Sequence, residues 1–208
     1  MTPAQTLQQI TQLGVIAVVR AASADQALAR AEAVARGGIT AIEITLTVPG
    51  AVDVIRHLRA ADILVGAGTV LTAASAHACL DAGARFIVSP GFDPATAAAA
   101  RSAGVLGIPG ALTPTEIMAA HAAGAGAVKI FPCAQVGGPG YIRALRGPFP
   151  HIPFIPTGGV SAANLAAYLE AGAAAVGAGG ELVAGSDYVV IAQRTRAFLA
   201  AVRQARGQ

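Results

Sequence analysis

Lys129 is the only lysine in a chain of 208 residues, although thirteen of its fourteen Lys and Arg side chains are arginine. Compositional drift toward arginine accounts for the thirteen and leaves the lone lysine to be explained by chemistry. An ordinary lysine, with a pKa of about 10.4, is neutral in only about one molecule in 2,500 at pH 7, so a nucleophilic lysine needs burial or a neighbouring cation. In the run Ala127-Val128-Lys129-Ile130-Phe131-Pro132, strand alternation puts Lys129 and Phe131 on one face and Val128 and Ile130 on the other. In Ala41-Ile42-Glu43-Ile44-Thr45-Leu46-Thr47 the polar side chains Glu43, Thr45 and Thr47 likewise share one face. A carboxylate and an ammonium turned into the same low-dielectric interior are costly unless they pair or react. One reading is an ion pair that fixes strand register. The other is an active site with Lys129 as nucleophile, in which Arg20 supplies the neighbouring positive charge.

The elements that must position these residues repeat along the whole chain. Short β-branched runs at Val15–Arg20, Ala41–Leu46, Ile63–Thr69, Phe86–Pro90, Leu106–Gly110, Ala127–Pro132, Phe154–Thr157 and Ala174–Gly179 alternate with alanine-rich helical segments. Ser23, Asp93 before Pro94, Thr113 before Pro114, and Ser161 carry the signals of helix N-caps. Glycines at 38, 83, 104, 124 and 172 are placed to end helices in the left-handed conformation. Eight such βα units predict an α/β protein, a single (β/α)8 TIM barrel covering residues 1–208. A doubly wound open sheet is the rival, but Gly66/Gly68, Gly158/Gly159 and Gly177/Gly179/Gly180 never complete the dinucleotide fingerprint GxGxxG. In the barrel the polar faces point inward, and Thr69 is expected to point inward at the end of the third strand.

The glycines then acquire a place. Thr157-Gly158-Gly159-Val160-Ser161 and Gly177-Ala178-Gly179-Gly180 follow the seventh and eighth strands, where barrels commonly hold a phosphate on backbone N–H groups. A net charge of +3 without a basic run interleaved with aromatics argues against nucleic acid. The longest stretch free of acid, Lys and Arg is broken by proline and glycine, so no membrane span is expected. No secretory signal is visible at the N-terminus, and the cytoplasm is the expected location. Cys79 and Cys133 read as small buried thiols, and His57, His77, His121 and His151 show no metal-ligand spacing. No metal and no cofactor are expected.

Taken in order, Val18-Val19-Arg20, Glu43-Ile44-Thr45-Leu46-Thr47, Gly66-Ala67-Gly68-Thr69-Val70, Ser89-Pro90-Gly91, Ile108-Pro109-Gly110, Val128-Lys129-Ile130-Phe131-Pro132, Gly147-Pro148-Phe149 and Pro156-Thr157-Gly158-Gly159 span nearly the whole chain. Together they resemble the 2-keto-3-deoxy-6-phosphogluconate (KDPG) and 4-hydroxy-2-oxoglutarate (KHG) aldolases. The resemblance implies a class I aldolase that releases pyruvate from a small 2-keto-3-deoxy sugar acid. It assigns Lys129 as the Schiff-base lysine and Glu43 as acid and base, and it implies a homotrimer. Arg20, Thr45, Thr69, Pro90, Phe131, Thr157, Gly158, Gly159, Gly179 and Gly180 are the expected substrate contacts.

Two departures bear on the phosphate end. Many members of that family carry Arg where this chain has Thr47, and Ser where it has Gly180 followed by Glu181. Strand parity would turn the Glu181 carboxylate away from Gly180. An unphosphorylated 2-keto-4-hydroxy acid is therefore the second substrate class, and a non-catalytic phosphate-binding barrel is the reading from another class.

Overall fold

Parallel strands that are covered on both faces read as continuous apolar runs, and the strands found here are short and buried at every position but the half-buried Gly107. The computed structural model describes residues 1–207; Gln208, the last residue of the expected domain, lies outside the described residues. In chain order the elements are α1 (Pro3–Leu13), β1 (Val15–Val19), α2 (Ala24–Arg36), β2 (Ala41–Thr45), α3 (Ala51–Leu58), β3 (Leu64–Gly68), α4 (Ala73–Asp81) and β4 (Phe86–Val88). Then come α5 (Pro94–Ser102), β5 (Leu106–Ile108), β6 (Gly110–Ala111), α6 (Pro114–Ala122), β7 (Val128–Ile130), a 3-10 turn (Ala134–Val136) and α7 (Pro139–Arg146). The chain continues through β8 (Phe154–Pro156), α8 (Leu165–Glu170), β9 (Val176–Ala178), α9 (Gly180–Val183) and α10 (Tyr188–Ala205).

The strands pair in parallel in two ladders, β5-β4-β3-β2-β1-β9 and β6-β7-β8. The expected fifth strand is divided between them. Pro109 has no N–H to donate and breaks the run into β5 and β6, while its carbonyl still accepts from the Lys129 N–H at 2.9 Å. On the far side, a single bridge between Thr157 and Gly177 and a 2.9 Å bond from the Ala174 N–H to the Phe154 carbonyl join β8 to β9. The curled sheet is thus a TIM-type barrel with two weakly laddered seams.

Two separate apolar clusters follow from strand alternation. One lies between strands and helices; the other fills the barrel interior with Ile16, Leu64, Phe86, Leu106 and Ile155. Gly66 leaves the space for Phe86, since a methyl at Gly66 would stand 2.3 Å from its ring. Helix α1 closes the N-terminal end by inserting Ile10 into this interior cluster, with Leu7 and Leu13 beside it. The segment carries its own start signal, because Thr2 and Gln5 form a reciprocal capping box with Pro3 at the first helical turn. With that end sealed, the C-terminal ends of the strands form the accessible mouth.

The caps at Ser23, Asp93 and Thr113 accept N–H bonds as expected, and glycines 38, 83, 104, 124 and 172 have φ from 65 to 101°. Ser161 does not. The helix after β8 begins at Leu165 and runs six residues, with Asn164 at its N-cap. The Asn164 side chain accepts from the Ser161 N–H at 2.9 Å and donates to the Gly159 carbonyl at 2.8 Å, so it organises a turn where a helix start was expected. Among the described residues, no helix is long and apolar enough to cross a membrane.

Candidate active site

Glu43 on β2 and Lys129 on β7 are both inside the barrel, 3% and 4% exposed. Gly68 on β3 faces Glu43 and makes room for it, because a methyl at Gly68 would stand 1.8 Å from Glu43 Oε1. Oε1 is buried and accepts no hydrogen bond. Burial pushes the Glu43 carboxyl above the ordinary carboxylate range, and the positive charges of Lys129 and then Arg20 oppose that rise. Both cations are therefore near enough to act on Glu43. Among the described residues, however, no ion pair within 4.0 Å joins Glu43 to either, so the register-fixing pair is not formed. Lys129 Nζ sits 4.9 Å from the centroid of the Phe131 ring, within cation–π range. A buried lysine, a buried carboxyl without a partner and an aromatic wall suit proton movement at an atom bound between them.

Above them opens a cleft of about 340 Å³, whose walls include Arg20, Phe131, Thr157, Gly158, Gly159, Gly179 and Gly180. Seven of the expected substrate contacts thus converge. Gly158 and Gly159 are both left-handed, at φ 91 and 80°, a succession that residues with a Cβ avoid. Among the described residues, the N–H groups of Gly159 and Val160 make no backbone hydrogen bond, whereas the Thr157–Gly177 bridge turns the Gly158 N–H toward the Gly177 carbonyl. The two free N–H groups can receive an anion. The Ser161 N–H cannot join them, being taken by Asn164.

Three expected contacts do not line this cleft. Thr45 is fully buried and spends its hydroxyl on the Val19 carbonyl at 3.1 Å while Thr47 donates to it at 2.8 Å, so it ties β2 to β1. Thr69 lies just past β3: Gly66 and Gly68 hold the inward positions, and alternation alone would send Thr69 outward. Its left-handed backbone, φ 57°, breaks that alternation and is unusual for a β-branched residue. Pro90 packs its carbonyl against Gly110, where a methyl would stand 2.1 Å away. Conversely, Val18, Val160 and Glu181 line the cleft without having been singled out as contacts. Alternation from Ile16 could have found Val18. For Glu181, strand parity misleads, because Gly180–Val183 is a short helix and the residue borders the cleft.

Residues 7–193 match the family model described as KDPG and KHG aldolase. The chain belongs to this family. The 2-dehydro-3-deoxy-phosphogluconate aldolase of Treponema pallidum is 40% identical over 164 residues, 78% of each chain. A solved native KDPGal structure superposes with a TM-score of 0.88 at 37% identity, covering 93% of this chain and 96% of the other. The KDPG aldolase of Legionella pneumophila, solved with pyruvate captured as a covalent carbinolamine intermediate, superposes with a TM-score of 0.82 at 31% identity over 99% and 98% of the two chains. Among the described residues of this aldolase-family chain, no group of three or more His, Cys, Asp or Glu side chains converges as a metal site.

The packing of Gly68 against Glu43 gives a direct test. Gly68→Ala is expected to cost about 1–3 kcal/mol through overpacking. Because the carboxyl must move, kcat should fall at least about tenfold in the folded fraction. Calorimetry and single-substrate kinetics on the same preparation measure both; wild-type kcat in the folded variant would show that the position of the carboxyl is not critical.

Proposed function

We propose that this chain is a class I aldolase that cleaves 2-keto-3-deoxy-6-phosphogluconate or its 4-epimer to pyruvate and glyceraldehyde 3-phosphate. The observation that carries the reading is the lone lysine, buried in the barrel beside a buried, unpartnered Glu43 and below a cleft with uncommitted amides. Neutral Lys129 Nζ attacks C2 of the substrate, and a proton from the Glu43 carboxyl lets that oxygen leave as water, which gives an iminium and a Glu43 carboxylate. Glu43 accepts the C4 hydroxyl proton, the C3–C4 bond breaks, and its electron pair moves into the iminium to give an enamine and the free aldehyde. The same carboxyl then returns a proton to C3, and water releases pyruvate and restores the amine. A carboxyl held above its ordinary range by burial is suited to both giving and taking that proton. Phe131 packs on the substrate, while Arg20 and the amides of Gly159 and Val160 receive its anionic end. Thr157, Gly158, Gly179 and Gly180 complete that wall. Thr45, Thr69 and Pro90 are read as shaping the mouth rather than as direct contacts.

The same reading takes residues 1–208 as one barrel domain, three copies as the working assembly and the cytoplasm as the location. A second substrate class is favoured by one observation: Glu181, an exposed acid, borders the cleft where a phosphate would sit. It would disfavour a dianion and suit 4-hydroxy-2-oxoglutarate. Against it, a missing neutral hydrogen bond is worth on the order of 1 kcal/mol, less than a set of charge-assisted N–H bonds supplies. The phosphorylated acid is therefore expected to be cleaved with at least about tenfold higher kcat/KM than its unphosphorylated counterpart, about 1.4 kcal/mol in transition-state binding. Coupled assays of pyruvate release on both acids and on 4-hydroxy-2-oxoglutarate decide this. Equal or reversed preference transfers the assignment to the unphosphorylated acids, and failure to cleave any of them removes the aldolase reading.

A further inference from the structure

Helix α9 has only four residues, too few to hold its own ends, yet Gly179 and Gly180 at its start line the cleft. The carbonyls that follow are gripped from outside by two arginines. Arg194 on α10 donates to the Ala184 carbonyl at 3.1 Å and to that of Glu181. Arg30 on α2 donates from one amino group to the Gly185 carbonyl at 3.0 Å, and from the other to the Arg20 carbonyl at 2.6 Å. The second bond is the informative one. Arg20 and Gly185 lie at opposite ends of the chain, and their neighbourhoods form two sides of one cleft. A single planar guanidinium joins them, although Arg30 itself does not line the cleft.

We propose that Arg30 is a positioning residue for the phosphate-binding half of the cleft: it fixes the spacing between the backbone at Arg20 on one side of the cleft and the Gly179–Gly180 wall on the other. This rests on the aldolase reading above, with a phosphorylated substrate. The fork is essential to the role, since one ammonium on a flexible stem does not hold two separated carbonyls in fixed geometry. Arg30 touches neither Lys129 nor Glu43, so it reaches the bond-breaking half of the reaction only through the position of Arg20.

Arg30→Lys and Arg30→Met, in the full chain, are compared with wild type on phosphorylated and unphosphorylated 2-keto-3-deoxy acids, together with borohydride trapping of pyruvate. For the phosphorylated substrate KM is expected to rise about tenfold, with kcat within about threefold of wild type. The unphosphorylated substrate and the rate of pyruvate trapping should be unchanged within about threefold, and Lys should not rescue the loss. Equal losses on both substrates, unchanged KM for the phosphorylated one, or failure of both variants to fold would overturn the proposal and leave Arg30 as a fold determinant. A wild-type protein that traps no pyruvate would instead overturn the aldolase reading, and the two failures are thereby distinguished.

Discussion

Lys129→Ala is expected to abolish both cleavage and the reduced pyruvyl adduct that borohydride forms with the wild-type protein, while the barrel stays folded. The loss should be about 10⁵-fold or more, roughly 7 kcal/mol of barrel-derived catalysis, because without the amine there is no iminium to accept the electrons of the C3–C4 bond. The chain favours a clean result: with one lysine in the sequence, the only other primary amine is the N-terminus. Mass mapping of the trapped protein should find the adduct on the peptide containing Lys129. Retained activity in the alanine variant, or an adduct confined to the N-terminal peptide, would sink the Schiff-base assignment. Removing a buried polar side chain that makes no ion pair among the described residues breaks no structural contact of that kind, so circular dichroism should show an intact fold.

Glu43→Gln should lower turnover by about 10²- to 10⁴-fold, the range associated with losing a positioned acid and base. Its effect on stability has a definite sign. Burial raises the Glu43 carboxyl in the folded protein above its unfolded value. Its contribution to stability is fully present below the unfolded pKa and is lost as pH rises through the folded one. Glutamine does not ionise and escapes that loss. Relative to wild type, the melting temperature of the variant should therefore improve as pH rises above the ordinary carboxylate range. A register-fixing ion pair demands the reverse, a variant less stable at neutral pH with turnover spared per folded molecule. Wild-type kcat/KM should also rise with pH along an acid limb placed above the ordinary carboxylate range, and this limb should vanish in Glu43→Gln.

The placement of Glu43 and Lys129 was legible because it depends on local periodicity. Alternation along Ala41–Thr47 and Ala127–Pro132 puts Glu43 and Lys129 on inward faces whatever the strands' neighbours, and both are buried inside the barrel. The glycines after the seventh and eighth strands were legible for a similar reason: counting βα units assigns them to the end of the barrel where backbone amides gather, and they do line the cleft.

Where alternation stops, so did the sequence reading. Thr69 leaves the strand in a left-handed conformation, and Glu181 enters a helix, so parity could place neither. Ser161 carries a cap residue's chemistry but loses its N–H to Asn164, a competition settled by loop geometry. Thr45 does face the interior, yet the stagger between β1 and β2 brings the Val19 carbonyl within reach and commits its hydroxyl there.

Local patterns fix the order of βα units, the inward faces that carry Lys129 and Glu43, and the location of the glycine loops, since each follows from the two-residue repeat of a strand or from turn chemistry within a few positions. Which polar groups remain free to meet a substrate is settled by long-range packing. That depends on the stagger of neighbouring strands and on partners as distant as Arg30 and Gly185, whose meeting no local pattern specifies and only closure of the barrel produces.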